Sequence, residues 1–337
     1  MFEGELEMLP RVRSCVSGRI AVLFGRVIIW QWRYLAEVLF GRIAIWQPSS
    51  VLPSGPYKWV KTFPSCIATA SALQSPIELE HVVKKNDSIY PLELRGFGVP
   101  QKSWTVVNIR DTVVVKFQAG MTVKGGSIKH NYRLIEMRFH WGSRDTNGSE
   151  HKFNSRRFPM EMQIVGLAPG FVNVDAASLV QSGLLMIGVF IDIASDENMA
   201  FRAIAHAVLN VSYPGDSVSV TPPALSRLLP DNYKFYQYYG GQTTPPCRQT
   251  VIWIVYEKPI FISREQYLPF ITSVYYSDRN NPVKKLLVDN YRTIQPSLNR
   301  QIFVSSAVKI ISARGAAQSQ HTLLIHLCIL TSSLSMH

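Results

Sequence analysis

Ten residues in the middle of the chain, LLMIGVFIDI (184–193), carry one charge near their end and are otherwise apolar. Alternate side chains of a strand point to opposite faces, and here neither face is polar. Such a strand is covered on both sides. Whatever the chain folds into must bury this segment at its centre. Shorter runs of the same character surround it: WTVVNI, TVVVKF, RLIEMRFHW, EMQIVGL and VIWIVY. Turns rich in Gly, Asn, Asp and Pro separate them. Helical signals are few and short, at ENMAFRAIAHAVLN (197–210), SREQYLPFITSVYY (263–276) and NPVKKLLVDNY (281–291). The 14 Tyr, 16 Phe, 20 Gly and 20 Pro suit strands joined by turns. The expectation is a mainly β domain with peripheral α-helices, spanning residues 55–308.

The two ends differ from this body. In residues 1–54, FGRVIIWQ (24–31) returns as FGRIAIWQ (40–47), and Arg19, Arg26 and Arg33 recur with a helix-like spacing. The uncharged stretches between these arginines are too short for a membrane span or a signal-peptide core. The segment reads as a low-information leader, poorly ordered or a basic helix lying on a membrane surface. Residues 309–337 carry an apolar stretch after Gly315, Ala316 and Ala317, a weak lipid-anchor signal on a tail otherwise expected to be disordered. Membrane contact, if any, is expected only through these ends.

A net charge of +12 admits acidic partners, but the basic residues occur as scattered pairs such as Lys84-Lys85 and Lys284-Lys285. There is no nucleic-acid motif, no nucleophile elbow, no phosphate loop, no Cys-x-x-Cys and no His-Glu-x-x-His. Nucleic acid is not an expected partner. Of four cysteines, Cys15 and Cys328 lie in the ends. Cys66 and Cys247 lie in the body and could close a long loop, although spacing alone does not pair them. Sequons at Asn86, Asn147 and Asn210 are compatible with secretion and glycosylation.

One constellation demands a chemical reading. In RLIEMRFHW, Arg138 and His140 are two apart on an expected strand, so both side chains point to one face. Glu161 and Gln163 stand in the same relation on the next strand.

Taken in order, the body resembles the α-carbonic anhydrases. The matching pieces are GPYKW (55–59), QSPIEL (74–79), YRLIEMRFHWGS (132–143), GSEH (148–151), FPMEMQ (158–163), TTPPC (243–247), VIWIV (251–255) and DNYRTIQPSLNRQI (289–302). The resemblance implies one domain built on a twisted, mostly antiparallel sheet of about ten strands, with a conical cleft. It implies a disulfide between Cys66 and Cys247 and therefore an oxidising compartment.

The resemblance also implies what the cleft has lost. The family holds zinc with three imidazoles, and those positions fall on Arg138, His140 and Gln163. A guanidinium keeps its proton and offers no lone pair. Placed about 4 Å from a dication, it would repel it by about 8 kcal/mol at an effective dielectric of about 20. That is a large fraction of the roughly 10–16 kcal/mol of a complete structural zinc site. An amide oxygen is a poor substitute for imidazole. No metal, cofactor or catalytic residue is expected, and Arg138 is expected to pair with Glu161, Glu150 or Gln163. Glu150, Thr243 and Glu161 remain as a relic frame. The proton-shuttle position carries Asp111, whose ordinary pKa of about 4 would make it a poor relay at neutral pH. The substrate wall keeps Val165, Val251 and Trp253, gains bulk at Met186 and gains polarity at Gln242, expected at the pocket mouth.

The pattern is similar to the acatalytic carbonic anhydrase-related proteins. It implies a secreted or cell-surface module that binds an extracellular protein. The alternative is a carbonic anhydrase with residual zinc-dependent hydration or hydrolase activity.

Overall fold

The protein is described here by a computed structural model, which defines residues 59–69, 71–80 and 89–305, all in the unit that begins at Val51. The leader, the tail and Asn86 lie outside the described residues.

The expected strands form, and more besides. In chain order they are β1 (Glu78–Leu79), β2 (Tyr90–Arg95), β3 (Trp104–Asn108), β4 (Val113–Lys116), β5 (Thr122–Gly126), β6 (Ile128–Trp141), β7 (Lys152–Phe153), β8 (Met160–Leu167), β9 (Leu184–Ala194), β10 (Ser217–Val220), β11 (Phe235–Gly240), β12 (Val251–Tyr256), β13 (Ile260–Ser263) and β14 (Ile302–Val304). Twelve of them make one sheet, with β10-β3-β4-β6-β8-β9-β12-β11-β14 as its main path. β2 and β5 extend it beside β6, and β13 pairs with β9. Most pairs are antiparallel, but β12 and β13 both run parallel to β9. The sheet is mostly antiparallel, as expected, with two parallel pairs made where chain segments return to β9 by crossovers.

The apolar segment 184–193 is central, as its composition demands. β9 lies between β8 and β12, and Leu184 through Ile191 are all buried. Alternation divides its side chains between two cores. Leu185, Ile187, Val189 and Ile191 join the larger cluster, with Met137, Phe139 and Trp141 from β6 and Met160, Met162 and Ile164 from β8. Leu184, Met186 and Phe190 join a second cluster with Val165, Tyr238, Val251 and Trp253. The large core also takes Ile204 and Val208 from the helix Arg202–Val208 with its N-cap residue Phe201, and Tyr267 and Phe270 from the helix Arg264–Thr272. Ser263 and Gln266 close the start of the latter as a reciprocal capping box.

The third helical signal gives no helix. Residues 281–291 are irregular, with a bend at 282–283, a positive φ at Asp289 and a bridge between Leu286 and Tyr275. Their backbone hydrogen bonds go to neighbouring segments: Leu287 donates to the Val274 carbonyl and Asp289 to the Gly142 carbonyl. Tertiary partners have overridden local propensity.

Candidate functional site

Residues that face the second core on β8 begin with Glu161 and Gln163 and continue to Val165 and Leu167. Across the β6–β8 pair, His140 lies opposite Glu161 and Arg138 opposite Gln163. Period-two geometry therefore gathers four polar side chains on one face, in a sheet whose other face is wholly apolar here. The GSEH segment brings Glu150 to them. It can do so because Gly148 presses against the end of β6: a Cβ there would sit 1.9 Å from the Gly142 nitrogen.

The floor of this site is nearly full. A cavity of only about 10 Å³ is bounded by Asp111, Thr112, Arg138, His140, Gln163, Met186, Thr243 and Thr244. That is room for about one water. Val165, Val251 and Trp253 lie behind it in the second core. Gln242, expected at the mouth, is instead buried, and its Oε1 has no partner among the described residues. Its backbone N–H donates to Arg248, which fixes the loop and turns the side chain inward.

Arg138 does not pair with Glu161, Glu150 or Gln163. Its Nε donates to Glu136 at 2.7 Å, and Nη2 is as close to the same oxygen. Glu136 is two residues earlier on β6, so it shares the face without any tertiary adjustment. Burial works against the guanidinium's charge, but Glu136 more than restores it, and Asp111 adds to the effect.

Gln163, the cross-strand neighbour of Arg138, turns its amide away. Nε2 donates to Glu150 Oε2 at 2.8 Å and to Glu161 Oε1 at 3.0 Å. The other Glu150 oxygen accepts from the Arg292 backbone N–H at 2.8 Å. Glu150 is thereby occupied, and among the described residues no hydrogen bond joins it to Thr243. Arg292 itself donates to Gln74, to the Ser75 carbonyl and to the Cys66 carbonyl. Burial lowers its pKa to about 10, with Glu150 pulling the other way.

His140 Nδ1 lies 2.7 Å from the Asn290 carbonyl, which can only accept, so that nitrogen carries the hydrogen. Nε2 faces Glu150 Oε2 at 3.5 Å. Asn290 also accepts from the Trp141 backbone and donates to the carbonyls of Asp111 and Phe139. These bonds hold β6, the Asp111 loop and the 281–291 segment in register.

Below the cavity lies a chain of fully buried polar groups. Glu161 accepts from His151 Nδ1 and from the His151 backbone N–H, each at 2.8 Å. His151 Nε2 lies 2.7 Å from the Tyr238 hydroxyl, which reaches Ser75 Oγ at 3.0 Å. Burial pushes the Glu161 carboxyl upward, yet His151 and Gln163 hold it below its usual value. Burial drives the Tyr238 hydroxyl well above its usual range.

Asp111 differs from the ordinary carboxylate expected. Burial raises its pKa, and Arg138 offsets this only in part. Its Oδ1 is buried with no partner among the described residues. Sequence reasoning placed Asp111 but missed Glu136 and Asn290. The i, i+2 spacing from Arg138 could have found the first, and nothing local marks the second.

This donor set does not fit a zinc ion. Of the three positions assigned to ligands, one holds a guanidinium ion-paired to Glu136. Another holds an amide whose N–H groups face carboxylates. Only His140 offers an imidazole lone pair. Among the described residues no group of three or more His, Cys, Asp or Glu is placed to hold a metal.

Cys66 and Cys247 are joined as a disulfide, with a sequence separation of 181. Asn147 and Asn210 are both exposed, their amides donating to the Arg157 and His206 carbonyls. Among the described residues no helix is long and apolar enough to cross a membrane.

One large mixed sheet, a polar pocket on its second face and a disulfide between Cys66 and Cys247 characterise the domain. A family model for eukaryotic-type carbonic anhydrase matches residues 54–306, and the chain belongs to that family. It is 31% identical to human carbonic anhydrase 12 over 78% of this chain and 74% of that protein. It is 32% identical to mouse carbonic anhydrase 4, over 75% and 80% respectively. Against mouse carbonic anhydrase 15 the identity is 28%, over 81% and 86%.

Proposed function

We propose that this chain is a zinc-free carbonic anhydrase-related protein whose domain, residues 55–308, binds another protein outside the cell. The observation that carries the reading is the Arg138–Glu136 ion pair, with Arg138 facing the small cavity beside His140 and Gln163. A fixed cation stands where the family would present imidazole, and its charge is already matched by a neighbour on its own strand. Gln163 spends its amide on Glu150 and Glu161. Thr243 has no hydrogen bond to Glu150, so the hydroxyl lacks the acceptor that would orient a nucleophile. Arg138, Gln163 and Glu150 are thus all engaged within the site, although Asp111 Oδ1 is not, and the cavity has space for little more than a water. The buried disulfide favours a secreted or cell-surface location, with oxidising conditions to maintain it.

A second reading, a working carbonic anhydrase, draws on the names of the relatives and on the intact Glu161–His151–Tyr238 chain. One experiment separates them. Purified full-length chain, disulfide intact, is assayed for metal content and for carbon dioxide hydration. The proposal expects substoichiometric zinc and no turnover above buffer. One zinc per chain with sulfonamide-sensitive turnover would overturn it. Capture of an extracellular protein on the immobilised chain, retained by Arg138→Ala, would then test the binding role apart from the cleft.

A further inference from the structure

The Lys284-Lys285 pair plays no part in the Arg138 cleft. It lies in a surface loop that the fold closes at its base. The Tyr276 N–H donates to the Lys285 carbonyl at 3.0 Å, the Lys285 N–H donates to Ser277 Oγ at 3.0 Å, and Tyr275 bridges to Leu286. Within the loop, Asn281 accepts from the Val283 N–H at 2.9 Å. A loop closed in this way has little ordering left to do when it meets a ligand.

The cations of the loop rest on tyrosine rings. The Arg279 guanidinium lies 4.5 Å and Lys284 Nζ 4.8 Å from the centre of the Tyr213 ring, which stacks on Tyr275. Lys284 Nζ also donates to the Arg279 carbonyl, which ties the two residues together. Lys285 Nζ lies 6.0 Å over Tyr276. Both lysines are exposed, and the Arg279 side chain is 62% exposed. Carboxylates do not balance this set. Asp216 accepts from Arg279 Nη2 through both oxygens and shares one of them with the Tyr213 N–H. Asp278 is engaged by Arg110. Among the described residues neither lysine has a carboxylate in ion-pair contact. Like charges held on neighbouring rings repel one another until an anion separates them.

A single small anion would meet exposed cations such as these only weakly. A chain carrying many anionic groups engages several at once and releases their counterions. We propose that this surface binds a sulfated polysaccharide, with sulfate groups meeting Lys284, Lys285 and Arg279. The choice of polysaccharide among polyanions rests on the extracellular location proposed above. The rings support it as well. Tyr213 is taken up by Tyr275 and two cations and Tyr276 by Lys285, so neither is a free platform for stacking a base.

The test is calorimetric titration of the full chain, disulfide intact, with a heparin decasaccharide at physiological salt. Poly-glutamate, a single-stranded oligonucleotide and phosphatidylserine vesicles serve as comparison polyanions. The decasaccharide binds saturably and more tightly than any of the three. Lys284→Gln with Lys285→Gln weakens it about tenfold, the sum of two exposed ionic contacts, and flattens its salt dependence. Lys124→Gln with Lys129→Gln, an equal loss of charge at exposed positions on β5 and β6, leaves it unchanged. Tyr213→Leu, which keeps every charge but removes the ring under Arg279 and Lys284, weakens it severalfold. The metal content of each variant matches that of the parent chain, so the result is read apart from the state of the cleft. Absence of saturable decasaccharide binding would overturn the proposal. So would tighter binding of any comparison polyanion, or an equal loss from the Lys124 and Lys129 variant, which would assign the attraction to net charge alone.

Discussion

The Arg138 cavity and the Glu161–His151–Tyr238 chain beneath it share strand β8, yet they differ in how their polar groups are held. The upper region retains its shape while its chemistry has turned inward: Arg138 bonds its own strand neighbour and Gln163 bonds two carboxylates. In the lower region every polar group is fully buried and bonded to the next. The difference is one of coupling to the fold. Each group of the lower chain, if removed, strands another group in the dark, at a cost of several kcal/mol. The upper groups sit near a small cavity and can be exchanged as long as charge is balanced locally. On the proposed reading, a metal site has been lost without disturbing the polar scaffold beneath it.

The sharpest way to break this comparison is to rebuild the upper region. The double variant Arg138→His with Gln163→His should take up one zinc per chain with an affinity approaching that of complete sites, about 10 kcal/mol or more. Arg138→His alone should not, because Gln163 remains. Elemental analysis after dialysis reads both, and stoichiometric zinc in the single variant would defeat the ligand argument.

Next in size is Glu161→Ala, which leaves His151 facing an empty partner. A loss of about 3–5 kcal/mol in urea unfolding is expected. A loss under 1 kcal/mol would mean that the lower region is no more coupled to the fold than the upper. Glu136→Gln should cost less, about 1–3 kcal/mol, by leaving Arg138 with a neutral partner in a partly buried setting.

Two carboxyls give the comparison a pH signature of opposite sign. Glu161 titrates below its reference of 4.5 in the folded protein. Its stabilisation is complete above 4.5 and is lost as pH falls through the lower, native value. Acid unfolding should therefore lose part of its steepness in Glu161→Gln. Asp111 titrates above its reference of 3.8. Its contribution is present below 3.8 and is lost as pH rises through the native value, so at neutral pH the ionised group is a burden. Asp111→Asn should raise the neutral-pH Tm slightly, by a few degrees at most, and leave it unchanged in acid. A fall in Tm at neutral pH would show that Arg138 depends on Asp111 more than on Glu136.

The strands were legible because their signal is local. The run at 184–193 announced a central strand by composition alone, and the period of two on β6 and β8 placed Arg138, His140, Glu161 and Gln163 on one face before any contact was known. The parallel pairing of β12 and β13 with β9 was not legible, since it depends on crossovers that no short window contains. Residues 281–291 read as a helix because their apolar spacing permits one. Their backbone groups are claimed by Val274, in the segment just before, and by Gly142, far away in sequence. The partner of Arg138 was sought across the sheet, where buried charge is usually matched, although the nearest carboxylate on the same face was two residues away. The family resemblance puts Gln242 in place of an aliphatic residue at the mouth; the side chain is buried, in a loop held by the Gln242 N–H to the Arg248 carbonyl.

The Cys66–Cys247 bond, reinforced by Arg292 gripping the Cys66 carbonyl, encloses most of the sheet within a single covalent ring. A protease that nicks any loop inside that ring would liberate nothing. The fragments would migrate together until a reductant let them part, a property that would suit the extracellular location proposed above.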